Sequence, residues 1–138
     1  MDRKEFLASL GMGAAAFVCI WGLQGCQVNN PVSEAPTNVD FTLDLTDPAN
    51  SALKNNGGYI YKSGIIVAKT TSGAYVAVYS ACTHEGTTVT YDSSGNRFHC
   101  AAHGSNFLTN GSVINGPANQ ALHQYNTSLT GSSLRVYS

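Results

Sequence analysis

The chain has 138 residues, enough for one domain of ordinary size. Its formal net charge of −1 leaves no basic surface of the kind nucleic acid requires. Charged residues make up only 11%, and Ser, Thr, Asn and Gly fill the difference, a composition suited to strands and turns more than to helices.

The first segment reads as targeting. A short charged stretch, Asp2-Arg3-Lys4-Glu5, precedes a mostly apolar or small run from Phe6 to Leu23. That run is marginal for spanning a bilayer and typical of a signal peptide, so residues 1–25 are set apart from the fold. Leu23-Gln24-Gly25-Cys26 resembles a bacterial lipobox, which implies that Cys26 is lipidated and becomes the mature N-terminus. A plain signal peptide or an uncleaved anchor helix are the alternatives. Arg3-Lys4-Glu5-Phe6-Leu7 resembles a twin-arginine export signal with Lys4 in place of the second arginine. Each outcome expects a domain anchored to a membrane on the extracytoplasmic face of a bacterial cell envelope. Residues 26–38 are polar, hold Pro31 and Pro36 and lack an apolar period, which predicts a flexible tether.

From Val39 the chain reads as all-β. Phe41–Leu45 and Tyr75–Tyr79 alternate with period two, and Ile65–Ala68 is a continuous apolar run. Arg97–His99, Ser112–Ile114, Ala121–Leu129 and Ser133–Tyr137 are further strands, and Tyr59 and Tyr61 are read as strand residues. Glycine turns such as Asn56-Gly57-Gly58, Ser94-Gly95, Asn115-Gly116 and Thr130-Gly131 separate them. Asp47-Pro48 predicts one short helical turn, with the carboxylate as cap and the proline at the first helical position. A small antiparallel sandwich or barrel over residues 39–138 follows.

Two motifs interrupt the strands: Cys82-Thr83-His84 and Cys100-Ala101-Ala102-His103. Two soft thiolates and two imidazoles on two hairpin loops are what a 2Fe–2S cluster with mixed Cys and His ligation requires. A structural zinc ion held by the same four side chains, in a binding module without redox role, is the alternative. His99 and His123 sit in strand-like runs and are read as surface residues, with His99 pointing away from its neighbour Cys100.

On these residues the domain resembles a Rieske protein. The resemblance extends to His103-Gly104-Ser105-Asn106-Phe107 and to Gly116-Pro117-Ala118, then Leu122 and Tyr125. It implies a 2Fe–2S cofactor, with Cys82 and Cys100 on one iron and His84 and His103 on the other. It also implies a hydrogen bond from the Ser105 hydroxyl to a cluster sulfide, and a Gly116-Pro117 loop that covers the cluster. Quinol-oxidising members of the family differ in three ways. Thr87 and Ala102 stand where those members have a disulfide, Phe107 where they have a tyrosine, and Glu85 where they have a leucine. Each change lowers the potential, so the resemblance implies a value below the quinol-oxidising end of a family span of roughly −150 to +300 mV. The expected function is one-electron transfer to redox protein partners, as a membrane-tethered carrier or a small oxidoreductase subunit. The 35 residues after His103 leave no room for the mononuclear-iron domain of Rieske oxygenases, so a carrier is expected rather than a catalyst on its own.

Overall fold

The computed structural model describes residues 34–138; Cys19, Cys26, the expected targeting segment and the first part of the expected tether lie outside the described residues. The strands are β1 (Asp40–Asp44), β2 (Tyr59–Lys62), β3 (Ile65–Lys69), β4 (Tyr75–Tyr79) and β5 (Thr90–Asp92). They continue with β6 (Arg97–His99), β7 (Asn106–Phe107), β8 (Val113–Asn115), β9 (Gln124–Thr130) and β10 (Ser133–Tyr137). A six-stranded sheet runs in the order β1-β10-β9-β4-β3-β2, and a four-stranded sheet in the order β5-β6-β7-β8. All pairings are antiparallel. The small sheet is thus an insertion between β4 and β9, which are neighbours in the large one. This is the antiparallel all-β architecture that the sequence predicts, with the part that bears the Cys–His loops inserted as a sheet of its own.

The strand β3 shows why the two parts hold together. Its run Ile65-Ile66-Val67-Ala68 lacks polar alternation because both of its faces are covered. Ile66 and Ala68 enter a core shared with Val89, Tyr91, Phe98 and Phe107 of the inserted part. Ile65 and Val67 enter a second core with Leu43, Leu53, Leu134 and Val136. Each fully buried Ile or Val contributes about 1.5–3 kcal/mol relative to exposure.

The predicted helical turn is a 3₁₀ segment, Pro48–Lys54, kinked at Asn50. Asp47 caps it: Ala49 N–H donates to Asp47 Oδ1 at 2.9 Å, and Pro48 occupies the first turn, where no N–H is needed. Its Leu53 is fully buried and plugs the second core.

Three strands were not delimited by the sequence reading: β2, β5 and β7. With two to four residues each they hold too few alternations to register as a period. The expected strand Ala121–Leu129 begins only at Gln124. Leu122 N–H instead donates to Gly111 O at 2.8 Å, which keeps residues 121–123 in a loop. The segment before β1 already touches the domain at Pro36, whose carbonyl accepts from Tyr125 Oη at 2.7 Å. Among the described residues no helix is long and apolar enough to cross a membrane.

Candidate metal centre

Two loops carry the Cys–His pairs, and they fold alike. In the loop after β4, Cys82 N–H donates to Thr87 O at 2.8 Å and Gly86 N–H to Cys82 O at 2.7 Å. In the loop between β6 and β7, Cys100 N–H donates to Ser105 O at 2.8 Å and Gly104 N–H to Cys100 O at 3.0 Å. Each loop therefore starts at a cysteine, turns at a glycine four residues on, and closes one residue later. The turning glycines have φ of +81° (Gly86) and +83° (Gly104), backbone that an L side chain adopts only with strain. The sequence carried this signal as a glycine at the same distance from each cysteine, although the histidine shifts by one place between the motifs.

A third loop, Gly116 to Leu122, ties the pair together. Thr83 Oγ1, between the first Cys and His, donates to Gln120 O at 2.6 Å. Ala118 N–H donates to Ser105 Oγ at 2.9 Å. Pro117 is exposed and Ala118 is buried, so the loop closes over the second motif through its alanine.

The four side chains are graded by depth. Cys82 and Cys100 are 0% and 2% exposed and lie in the core with Phe107 and Leu122. Both are free thiols and are the only cysteines among the described residues, so Thr87 and Ala102 leave the two loops without a disulfide. The imidazoles of His84 and His103 sit at the rim, with side chains 32% and 47% exposed. Their ring centroids are 4.9 Å apart and the rings stand perpendicular. Burial pushes the Cys82 thiol up; the N–H groups of His84 and Glu85, aimed at its sulfur, act the other way, and the adjacent Cys100 thiol adds to the rise. Glu85 reaches both imidazoles, with Oε2 3.7 Å from His84 Nδ1 and 3.8 Å from His103 Nδ1.

This arrangement suits a group with a thiolate side and an imidazole side. The buried thiols are neighbours and have backbone donors waiting for negative sulfur. Ser105 is 0% exposed, and its oxygen accepts from Ala118 while its own hydrogen has no acceptor among the described residues. A buried donor without an acceptor costs about 1–3 kcal/mol, so the site is complete only with an acceptor from beyond the described residues, as a bound group would supply. His84, Glu85 and His103 offer ligand atoms within 4.8 Å of one another, but a lone ion held there leaves both thiols and the serine hydrogen unused.

Residues 44–126 match the family described as the Rieske 2Fe-2S domain. The chain belongs to the Rieske family. A Rieske domain holds a 2Fe–2S cluster and carries out Rieske-type electron transfer. The relatives include the cytochrome b6-f complex iron-sulfur subunit of Synechococcus sp. (strain JA-3-3Ab), 38% identical over 56 residues, 41% of this chain and 33% of that one. The subunit of the same name from Prochlorococcus marinus (strain AS9601) is 54% identical over 37 residues, 27% of this chain and 21% of that one. The matched stretches thus span a third or less of those curated relatives. Among solved structures, the plasma membrane Rieske protein PetC3 of Synechocystis PCC 6803 superposes with a TM-score of 0.55 at 30% identity, over 64% of this chain and 93% of that one. The ferredoxin of carbazole 1,9a-dioxygenase from Nocardioides aromaticivorans IC177 shares the Rieske fold at a TM-score of 0.52 and 15% identity, over 60% of this chain and 86% of that one.

Three residues differ from their sequence reading or escaped it. His99 is half-buried, not an ordinary surface residue: its Nδ1 lies 2.7 Å from Asn106 Oδ1. Asn115, read as a turn residue, and Asn106, given no role by the sequence, face each other across β7 and β8. His123 is exposed and packs edge-on to Tyr125, with ring centroids 4.7 Å apart.

Proposed function

We propose that this chain passes single electrons through a 2Fe–2S cluster held by Cys82 and Cys100 on one iron and by His84 and His103 on the other. The observation that carries the assignment is the depth gradient, two adjacent buried thiols beneath two rim imidazoles. The bound cluster supplies one-electron redox chemistry at a potential set by its surroundings. The chain's own residues do the rest. Phe107 and Leu122 keep water from the thiol side. Ser105 has a hydroxyl hydrogen left to donate, which favours the more negative reduced state. His84 and His103 present the exposed edge through which a partner is met. Glu85, beside both rings, opposes added negative charge.

The setting we propose is a membrane surface outside the bacterial cytoplasm, with residues 1–25 as export signal, Cys26 as the lipidated residue and residues 26–38 as tether to a domain over 39–138. The plasma membrane and b6-f relatives support that setting, and with it a role as an exported carrier or a small oxidoreductase subunit. Substituting Cys26→Ala should move the protein from the membrane to the soluble fraction; retention at the membrane would argue for an uncleaved helix instead.

The deciding experiment is a redox titration of the purified full chain followed by EPR. The expected result is a Rieske-type signal at an intermediate potential, below the quinol-oxidising end of the roughly −150 to +300 mV span. A colourless protein with one zinc per chain would replace this reading with the metal-stabilised binding module.

A further inference from the structure

Behind the second Cys–His loop lies a continuous chain of side-chain hydrogen bonds. Asn106 Nδ2 donates to Asn115 Oδ1 at 2.9 Å and to Gly104 O at 3.3 Å. Asn115 Nδ2 donates to Gly104 O at 2.9 Å and to Gly116 O at 3.0 Å. Backbone carbonyls only accept, so both amides are fixed in orientation and both amide groups spend their hydrogens. Asn106 Oδ1 is then left to accept, which makes His99 Nδ1 the donor in the 2.7 Å contact. Every polar hydrogen along the line has one sense, from His99 to the two glycine carbonyls.

The places it joins are the flanks of the site. His99 precedes Cys100, Gly104 follows His103 and precedes Ser105, and Gly116 precedes Pro117 and the buried Ala118. Asn106 and Asn115 are directly paired across β7 and β8, at a register shift between Asn106 and Phe107. Such a shift re-aims side chains, and here both amides converge on one carbonyl. Asn106 is a polar residue only 9% exposed, so its partners are a requirement of the fold and not a surface accident.

We propose that Asn106 and Asn115 are positioning residues that lock the second ligand loop onto the Gly116-Pro117 loop. They thereby set how firmly the cluster is retained and the potential at which it works. The proposal rests on the ligand assignment above. Holding the Gly104 carbonyl fixes the Gly104–Ser105 peptide, so one clamp acts directly on the hydroxyl donor and, through the single residue between them, on His103. Asn115 sits at the exposed rim, where water competes for its bonds, whereas Asn106 is buried, and its loss strands both His99 Nδ1–H and Asn115 Oδ1.

The test uses the cluster-loaded full chain with Asn115→Leu, Asn106→Leu and the longer amide Asn115→Gln. It measures the rate of cluster loss in chelator, the reduction potential, and the EPR line shape. The unfolding midpoint of the cluster-free protein is followed in parallel. Asn115→Leu should raise the rate of cluster loss about tenfold, the equivalent of one to two hydrogen bonds. It should also lower the potential and broaden the EPR signal, with a smaller fall in the cluster-free midpoint than Asn106→Leu gives. Asn106→Leu should do more, and Asn115→Gln should return all three readouts toward wild type. If Asn106→Leu does not fold, the Asn115 pair alone decides. Loss rates within twofold of wild type, with unchanged potential and line shape, would overturn the proposal while the ligand assignment stands. A wild-type chain with no Rieske signal would overturn the ligand assignment, and this proposal with it.

Discussion

Ser105 is the residue whose two halves are used differently. Its oxygen is committed to Ala118 N–H, and its hydrogen is free of any protein acceptor among the described residues. Replacing it with alanine removes a donor worth about 1.5 kcal/mol toward a charged acceptor, or roughly 60 mV in a one-electron couple. Ser105→Ala should therefore lower the potential by that order, measured by protein-film voltammetry; an unchanged value would mean that the hydrogen points elsewhere. Phe107 offers the reverse test. Its ring is fully buried in the core that holds both cysteines. A tyrosine hydroxyl there costs about 1–3 kcal/mol if it finds no partner. Phe107→Tyr should raise the potential with little change in unfolding midpoint if the hydroxyl reaches a cluster sulfur. A lower midpoint with an unchanged potential would show that it does not.

At the scale of elements, the twin loops explain why two motifs with different spacing serve one site. Each is a five-residue closure from cysteine with a positive-φ glycine at the turn, and at Gly104 the requirement is one of conformation, not of space. A Cβ added at Gly104 meets nothing within 4 Å, so the cost of Gly104→Ala is backbone strain alone, about 1–2 kcal/mol. Urea unfolding of the cluster-free protein should show a loss of that size. A much larger loss would mean the loop is packed more tightly than its open surroundings indicate.

This level is also where the sequence was most and least legible. Strands with clear alternation or a continuous apolar run, such as Tyr75–Tyr79 and Ser133–Tyr137, lie where the residues place them. The two-residue β7 is invisible to periodicity, because it exists through its neighbours: Phe107 pairs with Phe98 on one side and Val113 on the other. The four Cys and His positions were legible because their chemistry is rare. The Asn106–Asn115 clamp was not: Asn115, beside Gly116, reads as a turn, Asn106 lies in a strand too short to show a period, and their amides converge only once the two strands pair.

For the whole molecule, the ends of the chain matter as much as the site. The first and last strands lie side by side, Asp40 opposite Tyr137 and Phe41 opposite Val136. The closure is reinforced by a bidentate contact, with Arg135 Nε and Nη2 donating to the two Asp40 oxygens at 2.9 and 2.8 Å. Val39 N–H donates to Ser138 Oγ and Ser138 N–H to Val39 O, both at 2.9 Å. These bonds clasp the sheet that carries the inserted site. The Arg135 guanidinium holds the Asp40 carboxyl below its ordinary value of 3.8. Asp92 is held low first by the Ser94 hydroxyl, then by Arg97, and Asp44 by Thr46. A carboxyl whose folded pKa lies below its unfolded one stabilises the fold above the unfolded value, and that contribution disappears as pH falls through the folded value. The unfolding midpoint should therefore be flat with respect to these groups at neutral pH and fall on acidification from about pH 4 downward. Asp40 and Asp44 are exposed and Asp92 is only half-buried, so each effect is small and weakens with added salt. Asp40→Asn should lower the midpoint at neutral pH and remove part of the acid-side slope, while Asp40→Asn and Arg135→Gln together should cost little more than either alone. Additive losses in that cycle would mean that β1 is held to β10 by its ladder and by Leu43 and Val136 in the core, with the ion pair contributing nothing.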